Sequence, residues 1–317
     1  MKTTDRLASL KGEHRPICLA IGYFDGVHRG HRLILLSTIA AARDCGGVAW
    51  CLTFASHPLS VIAPSKAPKL LTSREHKTQL LTALGMDGCL ILKFTRAFAA
   101  QEPEEFVHSL CKNAPTLRSI SIGDNWRFGR NGAGDTSLLT TLMGRSGVSV
   151  AALQPVMWRG APVSSTRIRT SVSKGQLDGA YRMLGRPFSI LGTVGHGLKI
   201  GRTLGFPTAN IHPQTEMVPP NGIYAVQANI GRGIVVDGVL SIGVRPTFEK
   251  EKCNSVTYEL HIPGFSGNLY GRKVEVHFIS RLRDERKFDS PASLVRQIKL
   301  DIKAASRAIF DSANKII

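Results

Sequence analysis

Acidic residues are scarce in this chain. Its 317 residues hold 23 Asp and Glu against 41 Lys and Arg, so the formal net charge is 41 − 23 = +18. The excess has no focus. Cutting at 185/186 leaves 23 basic and 12 acidic residues before the cut and 18 and 11 after it, or +11 and +7. No run of five like charges occurs, which excludes a basic tail. Aromatic residues make up only 7%, too few for a base-stacking platform. An evenly basic chain suits small anionic partners, nucleotides among them. There is no Cys-x-x-Cys among the six cysteines, which argues against a zinc site or a disulfide framework and for a reduced, cytoplasmic setting. No 18-residue apolar run exists, and Met1 to Arg15 has no apolar core of a signal peptide, so neither a membrane partner nor export is expected. Neither Gly-x4-Gly-Lys-Ser/Thr nor Gly-x-Gly-x-x-Gly is present, so any phosphate is handled by other loops.

What is present is an ordinary globular composition, 43% hydrophobic and 20% charged, at a length that calls for two domains. From Ile17 to Leu153 short apolar runs alternate with amphipathic stretches. Strands are predicted at 17–21, 48–54, 89–92, 119–123 and 148–153, with helices at 30–43, 73–84 and 103–112. That alternation predicts a doubly wound, Rossmann-like parallel sheet buried on both faces. A short helix at 177–184 ends at Gly185. Beyond it the predicted strands 188–194, 222–230, 234–242, 256–262 and 273–279 follow one another with only turns between, as in a small antiparallel barrel. A final helix, 290–313, opens on Ser290 and Pro291, with Leu294, Ile298 and Ile302 as its packing stripe. The domains are placed at 1–185 and 186–317.

In an open parallel sheet, ligands bind beyond the carboxyl ends of the strands. The first strand runs into Gly22-Tyr-Phe-Asp-Gly-Val-His-Arg-Gly-His31. Two histidines three apart, with Gly30 between them at a helix N-terminus, could stabilise charge on a phosphate. Farther on stand Thr53-Phe54 with His57-Pro58, then Gly123-Asp-Asn-Trp-Arg-Phe-Gly129, then Val163-Ser-Ser-Thr-Arg-Ile-Arg169. In the second half, Gly192 to Asn210 carries five glycines and ends Pro-Thr-Ala-Asn. It reads as a loop that wraps phosphate through its backbone. Ile242 to Phe248, Tyr258-Glu-Leu-His261, Leu269-Tyr-Gly271 and Arg281 to Phe288 follow.

Taken in this order the motifs resemble the bacterial bifunctional riboflavin kinase/FAD synthetases over nearly the whole chain. Ser56 stands where that family usually has Pro, and Trp126 where it has Phe. The resemblance implies an N-terminal FMN adenylyltransferase and a C-terminal riboflavin kinase, with riboflavin, FMN, FAD and ATP as ligands and Mg²⁺ as cofactor. For the first domain it implies His28 and His31 as catalytic residues. Nucleotide and phosphate would fall to Gly22, Phe24, Asp25, Gly26, Gly30, Ser164, Ser165, Thr166 and Arg169, and flavin to Asn125, Trp126 and Phe128. For the second domain it implies Glu259 as the base. Gly197, Lys199, Gly201, Thr208 and Asn210 would hold nucleotide, with Thr208 and Asn210 also as metal ligands, and Arg202 is a further cation near the phosphates. Arg283 would approach the flavin from a solvated connector spanning 281–288. Two other readings stand beside this one: a single active domain, the kinase being the stronger of the two, or a basic nucleic-acid-binding protein. No oligomeric state is implied.

Overall fold

The computed structural model describes residues 1–197, 201, 204–244 and 256–314. Lys199, Arg202, the stretch from Arg245 to Phe248 and Cys253 lie outside the described residues. The chain forms two compact units, Met1–Leu70 with Arg74–Ser165, and Leu71–Ser73 with Thr166–Ile317. The division between these compact units falls at Ser165/Thr166. The reason is local: the helix at Leu177–Leu184 packs on strands of the barrel that follows it.

The first unit is built on strands β1 (Lys2–Thr4), β2 (Ile17–Ile21), β3 (Val48–Phe54), β4 (Gly88–Leu92), β5 (Leu117–Gly123) and β6 (Ser149–Leu153). They form one sheet in the order β1-β4-β3-β2-β5-β6, and every pairing is parallel. Side chains alternate between two cores. Ile17, Leu19 and Ile21 of β2 face one apolar cluster, and Cys18 and Ala20 face the other. This is why the strand reads as unbroken apolar sequence. Helices α1 (Arg29–Asp44), α2 (Leu59–Ile62), α3 (Arg74–Leu84), α4 (Arg96–Ala99), α5 (Pro103–Asn113) and α6 (Thr136–Gly144) complete the layers. A hairpin follows, β7 (Met157–Trp158) and β8 (Ala161–Pro162). Strand β1 and helix α6 are not among the elements predicted from the sequence. Strand β1 is Lys-Thr-Thr at the sheet edge, where a lysine is a common edge residue. Helix α6 follows a run of Gly and polar residues and starts on an N-cap, with Asp135 accepting from the Leu138 N–H at 2.9 Å.

The second unit opens with α7 (Ser165–Ser173) and α8 (Leu177–Leu184). Then come β9 (Phe188–Gly195), β10 (Thr208–Pro213), β11 (Gly222–Asn229), β12 (Val235–Val244), β13 (Val256–His261) and β14 (Lys273–Arg283). These six close into an antiparallel barrel in the order β10-β13-β12-β11-β14-β9. The glycine-rich stretch expected as one loop is partly ladder. Strand β9 runs through Gly195, and Asn210 pairs with it in register. Helix α9 (Pro291–Asn314) packs on β11, β12 and β14. Ser290 caps it, its hydroxyl accepting from the Ser293 N–H at 3.2 Å. The buried stripe of α9 is Asp301, Ala305 and Ile309, about two turns beyond the stripe expected from Leu294, Ile298 and Ile302, which are half-buried.

Gly88 pairs with Trp50 in the parallel register, and a β-carbon there would overlap the buried indole. Gly88→Ala is expected to destabilise the first unit by about 1–3 kcal/mol through overpacking, read as a lower denaturant midpoint.

Candidate active sites

The order of the parallel sheet reverses direction between β2 and β5, and a crevice at such a switch point is where open α/β sheets bind ligands. The loop after β2 enters α1 with three left-handed residues in four positions, Phe24 (φ 53°), Gly26 (φ 79°) and Val27 (φ 40°). A β-branched residue at positive φ is strained by roughly 1–3 kcal/mol, so the surroundings must hold it. They do so by burial. Phe24, Asp25, Val27 and His28 are all enclosed. The Asp25 carbonyl accepts from the Ser165 hydroxyl at 2.9 Å.

His28 is the N-cap of α1. Its Nδ1 accepts from the His31 N–H at 3.2 Å, so in the neutral imidazole the proton sits on Nε2. The two imidazoles stack with centroids 3.5 Å apart and planes 18° from parallel. Gly30 permits this, since a β-carbon would crowd the His28 ring at 3.2 Å. Phe24 meets His31 edge-on at 5.4 Å, beneath Gly22, whose own β-carbon would press on the Phe24 ring at 2.9 Å. Phe24 therefore supports the histidine from below and is closed to solvent. Burial, with the nearby His28 and Lys77, holds the His31 imidazole well below its ordinary pKa, and its Nδ1 is enclosed with no hydrogen-bond partner. A polar atom buried in this way calls for a water, an ion or a catalytic role.

Lys77 of α3 carries no motif, yet its ammonium reaches this loop. It donates to the Tyr23 carbonyl, the Thr53 hydroxyl and the Phe54 carbonyl, each at 3.1 Å. Its one trace in the sequence is its spacing, four residues before the core residue Leu81 on the buried face.

Across the switch point, Asn125 is exposed in the loop after β5, and Trp126 is half-buried. Phe128 is only 8% exposed and stacks under Trp126 at 4.8 Å, next to Phe106. Its ring is part of the core cluster. Ser164 and Ser165 belong to the first unit, whereas Thr166 and Arg169 lie on α7 beyond the division, the former exposed and the latter half-buried.

In the barrel, cross-strand register makes a row. Asn210 of β10 pairs with Glu259 of β13, Glu259 with Ser241 of β12, Ser241 with Ile223 of β11, and Ile223 with Arg283 of β14. Thr208 pairs with His261 two residues along, on the same face. This row floors a cavity of about 350 Å³, walled by Phe288, Leu294 and Ile298. A second cavity of about 490 Å³ is lined by Val194, Pro207, Ala209, Leu260 and the turn from Phe265 to Tyr270. Thr208 borders both. The Thr208 and Asn210 side chains are held closely. A β-carbon on Gly201 would lie 3.3 Å from the Thr208 hydroxyl, and one on Gly197 would overlap the Asn210 amide.

Arg283 is not on a solvated connector. Strand β14 extends to it, and its guanidinium forks onto Asp301 of α9 at 2.6 and 2.9 Å. Gln297 donates to the same carboxylate at 2.7 Å. The acid escaped the sequence reading because it stands in an apolar helix face.

Two family models match the chain, FAD synthetase over residues 10–167 and riboflavin kinase over 184–309. A bifunctional riboflavin kinase/FMN adenylyltransferase of Pseudomonas fluorescens is 35% identical over 99% of this chain and 100% of its own. The chain belongs to the bifunctional riboflavin kinase/FMN adenylyltransferase family. Enzymes of the same description from Bacillus subtilis and Escherichia coli K12 are 33% and 35% identical over 94% and 89% of the chain, covering 94% and 90% of their own lengths. A solved structure described as a macrolide-efflux protein from Streptococcus pneumoniae superposes with a TM-score of 0.83 at 28% identity, covering 96% of this chain and 99% of that one. Efflux is said of that protein; among the residues described here, no helix is long and apolar enough to cross a membrane.

Asp301→Ala strands the Arg283 guanidinium at the cavity wall. The variant is expected to lose about 3 kcal/mol, the low end for a buried pair with one partner removed. Chemical denaturation of the barrel measures it.

Proposed function

We propose that the two reactions of the family run in two separate sites, riboflavin phosphorylation in the barrel and FMN adenylylation at the switch point of the sheet. The observation that carries this reading is Thr208, which stands at the border of two cavities with Glu259 in the floor of one of them. Riboflavin fits the cavity under α9, whose Phe288, Leu294 and Ile298 suit an apolar ring system. ATP fits the second cavity, beside the stacked pair of His196 and Tyr270 at 4.3 Å.

The ribityl 5′-hydroxyl must lose a proton as its oxygen bonds to the γ-phosphorus and ADP leaves. Glu259 is the carboxylate at hand to take it. Thr208 and Asn210 offer hard oxygen donors, one hydroxyl and one amide carbonyl, close to the bare Gly201 and Gly197, and this donor set fits Mg²⁺. When bound, Mg²⁺ neutralises charge on the ATP phosphates. Gly197 and Gly201 leave room for the Asn210 amide and the Thr208 hydroxyl, and Lys199 is the cation proposed for the ATP phosphates. Arg283, fixed by Asp301, closes the far end of the row and orients the flavin.

In the first unit the FMN phosphate attacks the α-phosphorus of a second ATP, and pyrophosphate leaves. A phosphate is already a nucleophile, so no covalent enzyme intermediate is needed. His28 offers the Nε2 hydrogen to the charge that builds on phosphoryl oxygen. His31, held neutral, is its stacked partner. Both act at the N-terminus of a 16-residue helix, whose dipole favours the same charge. Gly22, Asp25, Gly26 and Gly30 shape the loop. Ser164 and Ser165 serve the nucleotide, and Asn125 and Trp126 the flavin ring. The protein acts without a nucleic-acid or membrane partner, in the cytoplasm.

Incubation with riboflavin, ATP and Mg²⁺, followed by chromatographic separation of the flavins, tests the whole scheme. FMN and FAD should both form; absence of any flavin product would refute it. Glu259→Gln should slow FMN formation by about 10²–10⁴-fold, while added FMN still becomes FAD. His28→Ala should cut FAD formation by about 10²–10³-fold and leave FMN formation intact.

A further inference from the structure

A buried ammonium needs oxygen partners, and isolated it would be expelled or neutralised. Lys77 is 4% exposed, and its three hydrogen bonds account for all three of its N–H donors. It therefore has no donor to offer a phosphate. What it bonds matters more. The Tyr23 carbonyl lies in the left-handed loop after β2, one residue before Phe24. The Thr53 hydroxyl and Phe54 carbonyl lie at the end of β3, and the Thr53 hydroxyl itself donates to the Tyr23 carbonyl at 2.7 Å. The ammonium also sits 4.6 Å from the centre of the Tyr23 ring. One cation thus ties two neighbouring strand ends where the loop takes its strained course to His28 and His31.

Resting on the reading that this loop carries adenylyl transfer, we propose that Lys77 is its positioning residue. It fixes the Tyr23 carbonyl, which sets the turn that presents His28, and its positive charge helps keep His31 unprotonated. The groups that face it are Asp25 from the loop, His31 from α1, Cys51 from β3, Cys89 from β4 and Arg74 from its own helix. Burial brings the ammonium down to about 8, against the opposing pull of Asp25, Cys89 and Cys51. The clamp therefore loses its charge and one donor as pH rises through that value.

The test uses the full chain, with FMN-to-FAD conversion measured from pH 6 to 9.5 and riboflavin-to-FMN conversion as the internal control. The unaltered enzyme should lose FAD-forming kcat above about pH 8 while FMN formation continues. Lys77→Met should lower FAD-forming kcat about 10–100-fold at pH 7.5, and the alkaline fall near pH 8 should vanish from what remains. Histidine NMR on that variant should show the His31 titration moved upward, because a neighbouring positive charge is gone. Lys77→Arg, which keeps the charge, should leave the His31 titration in place and retain more activity than the Met variant. Parent-level kcat in Lys77→Met, or an unmoved His31 titration there, would overturn the proposal. If Lys77→Met does not fold, the unaltered enzyme still decides, since a flat FAD-forming profile from pH 7 to 9.5 is incompatible with the clamp. His28→Ala separates the two layers. If it makes FAD normally, the reading of the loop fails. If it does not, while Lys77→Met does, only the role of Lys77 fails.

Discussion

Alternation of side chains along an extended strand is the constraint on which both units rest. In the parallel sheet it sends Ile17, Leu19 and Ile21 to one core and Cys18 and Ala20 to the other, so helices must cover both faces. In the barrel it sends Leu260 and Leu240 to one side and Glu259 and Ser241 to the other. The row from Asn210 to Arg283 exists only because five strands keep register. A slip of one residue in β13 would turn Glu259 inward and Leu260 into the cavity floor. The chemistry of the barrel is thus a property of strand pairing before it is a property of any loop.

The two sites share a second trait. Their polar groups are held by neighbours with little room to give. His28 accepts from the His31 N–H with its ring close against the bare Gly30, and the Thr208 hydroxyl and Asn210 amide lie close against Gly201 and Gly197. Groups fixed before the ligand arrives have no reorganisation left to undergo at the moment of reaction, which is where electrostatic stabilisation is worth most.

Much of this was legible in the sequence because apolar runs and turn residues are local signals. Strand β2 is five apolar residues in a row, and α9 opens on Ser290-Pro291. Glu259 stood out as an acid among strand residues, and the family motifs gave its role. Three kinds of feature were hidden. Strand β1 is held by pairing with β4, and its own residues carry no apolar alternation. Strand β10, Thr-Ala-Asn-Ile-His-Pro, is mostly half-buried and so resembles a loop. Lys77 and Asp301 were hidden for the reason that makes them matter. A charge on a helix normally reads as solvent-facing, and the atoms that bring these two inside come from distant segments: Tyr23 and Phe54 for the lysine, Arg283 for the acid. Phe24 and Phe128 show the converse. Motif resemblance marks them as ligand contacts, and in the fold their rings also pack against His31 and Trp126, which no local signal foretells.

Helix α9 has a consequence in time. In chain order it comes after all six barrel strands, yet Leu294 and Ile298 wall the cavity and Asp301 anchors Arg283. As the chain is synthesised from its N-terminus, the loop bearing His28 and His31 can settle while the barrel is still emerging. The pocket under α9 closes only when that late helix docks. The site that acts second in the route from riboflavin to FAD is therefore the first to be built.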